Sequence, residues 1–192
     1  MIRLAIFASG GGSNAEKIIN YFKNHNSIKV QLIVSNRLKA YVLQRARNHG
    51  IEYHHLSKAD MRDKNKVLQL LDKNRIDYIA LAGYLLLIPK FLIEAFPDRI
   101  INIHPSLLPK YGGKGMYGQK VHQAVFDNFE KESGMTIHLV NEAYDDGAIL
   151  FQVRTPLEVT DTPDIIAQKV LKLEHEHYAV QIEKLIQAHS QN

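Results

Sequence analysis

The chain has 192 residues, 45% of them hydrophobic and 23% charged, with a formal net charge of +4. That length suits one domain with a substantial core, and the composition is that of an ordinary globular protein. The absence of cysteine excludes disulfides, zinc fingers and thiol catalysis. Scattered Lys and Arg give no nucleic-acid footprint but would suit an anionic small substrate. No apolar stretch approaches the ~20 residues that span a membrane, and the first residues lack the long apolar region of a signal peptide. A cytoplasmic protein is expected.

In chain order, residues 2–8 form a short apolar run that ends in Ser9-Gly10-Gly11-Gly12-Ser13, which reads as a buried strand and a tight loop. A helix over 14–23 follows, with Ile18, Ile19 and Phe22 on one face. A strand at 30–34, a helix at 41–48 with Gly50 suited to the left-handed position after it, a weaker strand at 51–56 and a helix at 60–73 come next. Strands at 78–82 and 100–103 flank a short helical piece after Pro89. Beyond His104 a Gly-rich loop leads to a helix near 119–128 and strands at 135–140 and 149–153. A long helix then opens at Thr162-Pro163-Asp164, with Pro in its first turn.

This alternation implies an α/β fold: a doubly wound, mostly parallel sheet with helices on both faces and a Rossmann-like N-terminal half. The strands are continuous apolar runs, as expected where both sheet faces are covered. No linker or internal repeat breaks the chain, so 1–192 is read as one domain with halves at 1–100 and 101–192.

Ligands of such sheets sit beyond the carboxyl ends of the strands. There the chain places the Ser9–Asn14 loop, Ala82-Gly83-Tyr84 and Asn102-Ile103-His104, three strand ends that point to one cleft. Gly10-x-Gly12-x-x-Ala15 hints at a dinucleotide fingerprint. The second strand, however, ends in Ser35-Asn36-Arg37, without the acid that would take ribose hydroxyls. What survives is a glycine-rich turn at a helix N-terminus, with Ser13 and Asn14 as added donors, suited to a single phosphate. The competing reading is that these glycines only make a tight turn.

Of ten histidines, His25, His49, His54, His55 and His189 fall in loops or at element ends. His175 and His177 suit packing or surface roles on the last helix. His138 alternates with apolar neighbours on a strand and fits either the core or a supporting position, and His122 is open in the same way. No pair has metalloprotease spacing, so no metal is expected. His104 differs. It ends a strand, and the period of two puts Asn102 on its side. Together they can hold the oxygen of a tetrahedral centre and move a proton. A carboxylate that fixes the tautomer and raises the histidine pKa is best supplied by Asp145-Asp146-Gly147. No nucleophile elbow is present, so direct acyl transfer between two bound substrates is expected.

The segments Ser9-Gly-Gly-Gly-Ser-Asn14, Ala82-Gly-Tyr84, Asn102-Ile-His-Pro-Ser-Leu-Leu-Pro109 and Asp145-x-Gly147 resemble, in order and spacing, the phosphoribosylglycinamide formyltransferase family of the formyltransferase superfamily. The resemblance covers nearly the whole chain. It implies formyl transfer from 10-formyltetrahydrofolate, as co-substrate, to the amine of glycinamide ribonucleotide in purine biosynthesis. Small-molecule substrates, no nucleic acid, no membrane and a monomer or homodimer go with it. It implies Asn102, His104 and Asp145 as the catalytic set, with Asp145 raising the His104 pKa. Gly12, Ser13, Asn14, Gly83, Pro105 and Glu174 are implied on the ribonucleotide side. Arg62, Leu85, Leu86, Leu87, Ile88, Asn102 and Asn141 are implied on the folate side. The N-terminal half would then bind the nucleotide phosphate, and the C-terminal half would bind folate and carry the chemistry.

Three departures matter. Leu85-Leu86 stand where the family commonly has Met-Arg, so folate recognition there is apolar or through the backbone. Tyr144-Asp145-Asp146-Gly147-Ala148 offers two acids, of which spacing favours Asp145. Residues 110–118 are longer and richer in glycine than usual and are expected to form a mobile edge of the site. Methionyl-tRNA formyltransferase, formyltetrahydrofolate hydrolase and a non-catalytic nucleotide-binding module are the rival readings. The first two carry an additional domain, and the last leaves Asn102, His104 and Asp145 as coincidence.

Overall fold

β1 (Ile2–Phe7), β2 (Ile28–Ser35), β3 (Glu52–His55) and β4 (Tyr78–Leu81) alternate with α1 (Ser13–Phe22), α2 (Tyr41–Asn48), α3 (Lys64–Lys73) and α4 (Lys90–Ala95). The computed structural model describes residues 1–190. These elements make up the first of two units, Met1–Ile101 and Asn102–Asn192. The strand order is β3-β2-β1-β4, and its β1–β2, β1–β4 and β2–β3 pairs run parallel. Consecutive residues Leu4, Ala5, Ile6 and Phe7 are fully buried, as are Leu32, Ile33 and Val34. Burial without alternation requires cover on both faces of these strands. α1 supplies some of that cover with Ala15, Ile18, Ile19 and Phe22, which fall on one face at helical spacing.

The segment 60–73 is not one helix. A single 3₁₀ turn, Asp60–Arg62, precedes α3. Asp63 separates them as the α3 cap, its carboxylate accepting from Lys66 N–H at 3.0 Å. Asp is favoured at this position because it satisfies a helix-end donor. Arg62 therefore ends a turn and is exposed, rather than standing on a helical face.

β5 (Ile100–His104) crosses from one unit to the other. The second unit continues with α5 (Gln119–Asp127), β6 (Glu132–Leu139), β7 (Ile149–Pro156) and α6 (Pro163–Ser190). β6 lies between β5 and β7 and pairs antiparallel with β7. β6 begins three residues before the expected Met135, because Gly134 pairs with Arg154 across the ladder. A Cβ at Gly134 would lie 2.0 Å from the Val153 carbonyl, so glycine here permits a close strand pair and does not break one. α6 buries Ile166, Val170, Tyr178, Ile182 and Ile186. These lie four residues apart or at multiples of four, so they form one apolar stripe, and the helix packs on α5, β6 and β7.

Candidate active site

The end of β1 is tied to two neighbouring loops through Ser9. Ser9 N–H donates to Gly83 O at 3.0 Å. The Ser9 hydroxyl donates to Asn36 Oδ1 and accepts from Leu85 N–H at 2.9 Å. Beyond Ser9, Gly12 takes φ 71° as it opens α1, and a Cβ there would lie 2.6 Å from Val42 Cγ2. Gly12 therefore has a packing reason of its own. Gly10 and Gly11 do not, since a Cβ at either would meet nothing within 4 Å. Their carbonyls are held from the α2 side, by Val42 N–H at 3.2 Å and Arg45 Nε–H at 2.7 Å. The rim of this loop is open, and Ser13 and Asn14 stand half-exposed at the start of a helix whose first turn has no side-chain cap. Such a helix end favours an anion. Gly83 takes φ 73°. Leu85 and Leu86 are half-buried, Leu87 is exposed and Ile88 is buried.

The second unit holds the titratable cluster. β5 delivers Asn102 and His104 to one side, and the loop before β7 delivers Asp145 in a left-handed conformation, φ 55°. His104 Nδ1 lies 3.4 Å from Asp145 Oδ1, with 5% and 10% of the two side chains exposed. Asp145 Oδ2 accepts from Gly113 N–H at 3.0 Å. Asp146 is exposed, and its carboxylate accepts instead from Asn141 Nδ2 at 3.3 Å. Asn141 Oδ1 accepts from Ala143 N–H at 3.0 Å, so Asn141 shapes its own loop. Pro105 is half-buried in the turn after β5, and Glu174 is buried on α6.

The charge balance differs from the expectation of a raised histidine pKa. Burial pushes the His104 pKa down and is the largest influence. The Asp145 charge and the Tyr111 carbonyl push it up, a charge on His138 would push it down, and the outcome is a lowered value. Asp145 is held below the usual carboxylate range. Burial, its largest influence, would raise it, but contact with His138, the charge of His104 and the Gly113 N–H together outweigh that. The two ring nitrogens of His104 face a carboxylate and a carbonyl, since Nε2 lies 2.8 Å from Tyr111 O. Only the imidazolium satisfies both acceptors, so burial and polar contacts oppose each other on one ring.

Four participants were not singled out from the sequence. His138 is 2% exposed and contacts both Asn102, at 3.0 Å from Nε2 to Nδ2, and Asp145, at 3.7 Å. A histidine alternating with apolar residues on a strand was the only signal for it. His122 is buried on α5, and its Nδ1 has no partner among the described residues. The Tyr111 carbonyl and the Gly113 N–H are main-chain groups, which sequence does not distinguish. They place the expected mobile edge, residues 110–118, directly on His104 and Asp145. The two amide hydrogens of Asn102 face His138 and Asp145, so the expected donation from this amide to a substrate oxygen is not available in this arrangement.

The turn after His104 is fixed by Thr136. Its hydroxyl donates to Ser106 O at 2.6 Å and accepts from Leu108 N–H at 3.0 Å and Gln152 Nε2 at 2.9 Å. Among the described residues, no group of three or more His, Asp or Glu side chains could hold a metal ion, and no helix is long and apolar enough to cross a membrane.

Residues 2–182 match the formyl transferase family. The phosphoribosylglycinamide formyltransferase of Bacillus subtilis is 35% identical over 191 residues, covering 97% of this chain and 95% of that protein. The chloroplastic phosphoribosylglycinamide formyltransferase of Arabidopsis thaliana is 44% identical over 182 residues, 92% of this chain, which spans 62% of that relative's length. The crystal structure of the phosphoribosylglycinamide formyltransferase from Bacillus halodurans superimposes with a TM-score of 0.86 at 35% identity, covering 96% of this chain and 95% of that one. With its α/β fold and a match over nearly its full length, the chain belongs to the formyl transferase family and is similar throughout to the phosphoribosylglycinamide formyltransferases.

Proposed function

We propose that the chain transfers the formyl group of 10-formyltetrahydrofolate to the amine of glycinamide ribonucleotide. The observation that carries this reading is the cluster of Asn102, His104 and Asp145 around a buried imidazole, in a chain with these relatives. The substrate amine attacks the formyl carbon, forming the new C–N bond and an oxyanion. His104 meets that oxyanion. The developing negative charge adds to that of Asp145, and together they offset the burial that lowers the His104 pKa, so the ring can take the amine proton. The C–N10 bond then breaks, and the proton passes to the departing folate nitrogen. No covalent enzyme intermediate is needed.

Gly12, Ser13 and Asn14 would receive the ribonucleotide phosphate, and Gly83, Pro105 and Glu174 would complete that side. Arg62, Leu85, Leu86, Leu87, Ile88 and Asn141 would take the folate. The reading involves two small molecules, no metal and no nucleic acid, in a cytoplasmic monomer or homodimer. The test is a formyl-transfer assay with 10-formyltetrahydrofolate and, in parallel, glycinamide ribonucleotide, initiator tRNA and water as acceptors. Turnover is expected with the ribonucleotide alone. Preferential transfer to tRNA or to water would replace the reading.

A further inference from the structure

We propose that His138 is a positioning residue that locks the Asn102 side chain with its carbonyl end, not its amide end, left for the substrate. His138 Nδ1 lies 2.8 Å from the Leu139 carbonyl. A carbonyl oxygen only accepts, so Nδ1 carries the hydrogen, and in the neutral ring Nε2 is left with a lone pair. That lone pair faces Asn102 Nδ2 at 3.0 Å, and Asp145 Oδ1 faces the same nitrogen at 3.4 Å. Two acceptors on one side select the NH₂ end of the amide. Turning it over would press the Asn102 oxygen against a lone pair and a carboxylate. The His138 side chain is only 3% exposed, and little water is present there to soften that repulsion.

The backbone builds this preference in. Leu139 N–H donates to Ala148 O at 2.9 Å. A Cβ at Gly147 would lie 1.7 Å from the Leu139 carbonyl. Gly147 thus lets the chain cross against the carbonyl that fixes the His138 tautomer. This gives the Asp145-x-Gly147 spacing a physical reason: the same short loop supplies the acid and the room for the relay. Asn102 is half-exposed, and its Oδ1 has no protein partner among the described residues.

Resting on the formyl-transfer reading for the identity of the substrate, the consequence is a changed role for Asn102. Its Oδ1 accepts an N–H of the attacking amine and so aims the nitrogen lone pair at the formyl carbon. The C–N bond forms as the carbonyl pair moves onto oxygen. The amine proton leaves through His104, and the C–N10 pair returns to the folate nitrogen with that proton. Asn102 neither gains nor loses a proton, and the oxyanion is left to His104.

Two measurements decide this. Long-range ¹H–¹⁵N NMR of the unmodified protein is expected to show His138 as the Nδ1–H tautomer, with an N–H···N coupling from Asn102 Nδ2 to His138 Nε2. An Nε2–H tautomer, or no such coupling, overturns the proposal. In kinetics, His138→Met removes the acceptor, whereas His138→Gln retains one. His138→Met is expected to lower kcat about 100-fold with KM for both substrates changed by no more than about 2-fold, and His138→Gln to regain most of the loss. Full kcat in His138→Met, or His138→Gln no better than His138→Met, overturns it. If His138→Met does not fold, the tautomer and the His138→Gln rate decide. An unmodified chain that does not formylate the ribonucleotide sinks the functional reading, while the NMR result still judges the geometry.

Discussion

His104 and Asp145 show how burial and charge share control of one proton. Asp145, at 3.4 Å, favours the charged ring, and burial favours the neutral one. The neighbouring acid does not touch His104: the Asp146 carboxylate is exposed and bonds Asn141. Asp145→Asn is therefore expected to lower kcat by ~100-fold or more, whereas Asp146→Asn stays within about 3-fold of wild type. Steady-state kinetics of the two variants side by side check this, and equal losses would contradict the geometry.

His122 provides a separate test. Burial, with a smaller contribution from the His104 charge, pushes its pKa from 6.5 down to about 4. Between those two pH values the unfolded chain binds a proton that the folded chain does not. Stability therefore falls as pH drops from 6.5 toward 4. The loss is on the order of 3 kcal/mol, and burial of His104 acts in the same direction. Denaturant unfolding at pH 7.5 and 4.5 should show this drop, and His122→Gln should make it shallower.

At the scale of elements, β6 organises the second unit. It carries His138 toward the cluster and Thr136 toward the turn that follows His104. The Thr136 hydroxyl serves a donor and two acceptor bonds at once, and Thr136 is fully buried. Thr136→Val keeps the shape but leaves Ser106 O and Leu108 N–H without this partner. A loss of roughly 3 kcal/mol is expected, with a lower kcat because the turn adjoining His104 loosens. Thr136→Ser should recover both. Chemical unfolding and turnover measured on the same samples test the pair.

Across the whole molecule, the proposed function assigns separable tasks to the two units. Asn102, His104 and Asp145, the proposed catalytic groups, belong to the unit from Asn102 onward, and the glycine-rich loop, proposed for the phosphate, belongs to the first. Gly11 can accept a side chain without collision and has no positive φ to strain. Gly11→Asp should therefore fold normally yet repel a phosphate. KM for the ribonucleotide is expected to rise ~10-fold or more, with the folate KM and the pH profile of kcat unchanged. An unaltered KM would return the loop to being a turn only.

Much of the fold is readable in the chain, because short apolar runs locate the strands and the 3.6 period locates the helices. α2 was readable from end to end. What escaped did so for definite reasons. Gly134 looks like a strand breaker until the Val153 carbonyl across the ladder is seen. Asp63 looks like one more helical residue until its cap bond is seen. His138 reads equally as a core or a supporting histidine, because its partners are a main-chain carbonyl and an amide 36 positions away. The Tyr111 carbonyl could not be inferred at all, since every residue has one.

That carbonyl also has an optical use. His104 Nε2 is already occupied, at 2.8 Å, by Tyr111 O. Any ligand group that meets Nε2 must first displace the main chain at the start of residues 110–118. The protein contains no tryptophan, and Tyr117 is 44% exposed in this segment. Tyr117→Trp would make a single indole the only long-wavelength emitter in the molecule. Its emission should shift as the formyl donor saturates the site, and a flat titration would mean that Tyr111 keeps its hold on the ring.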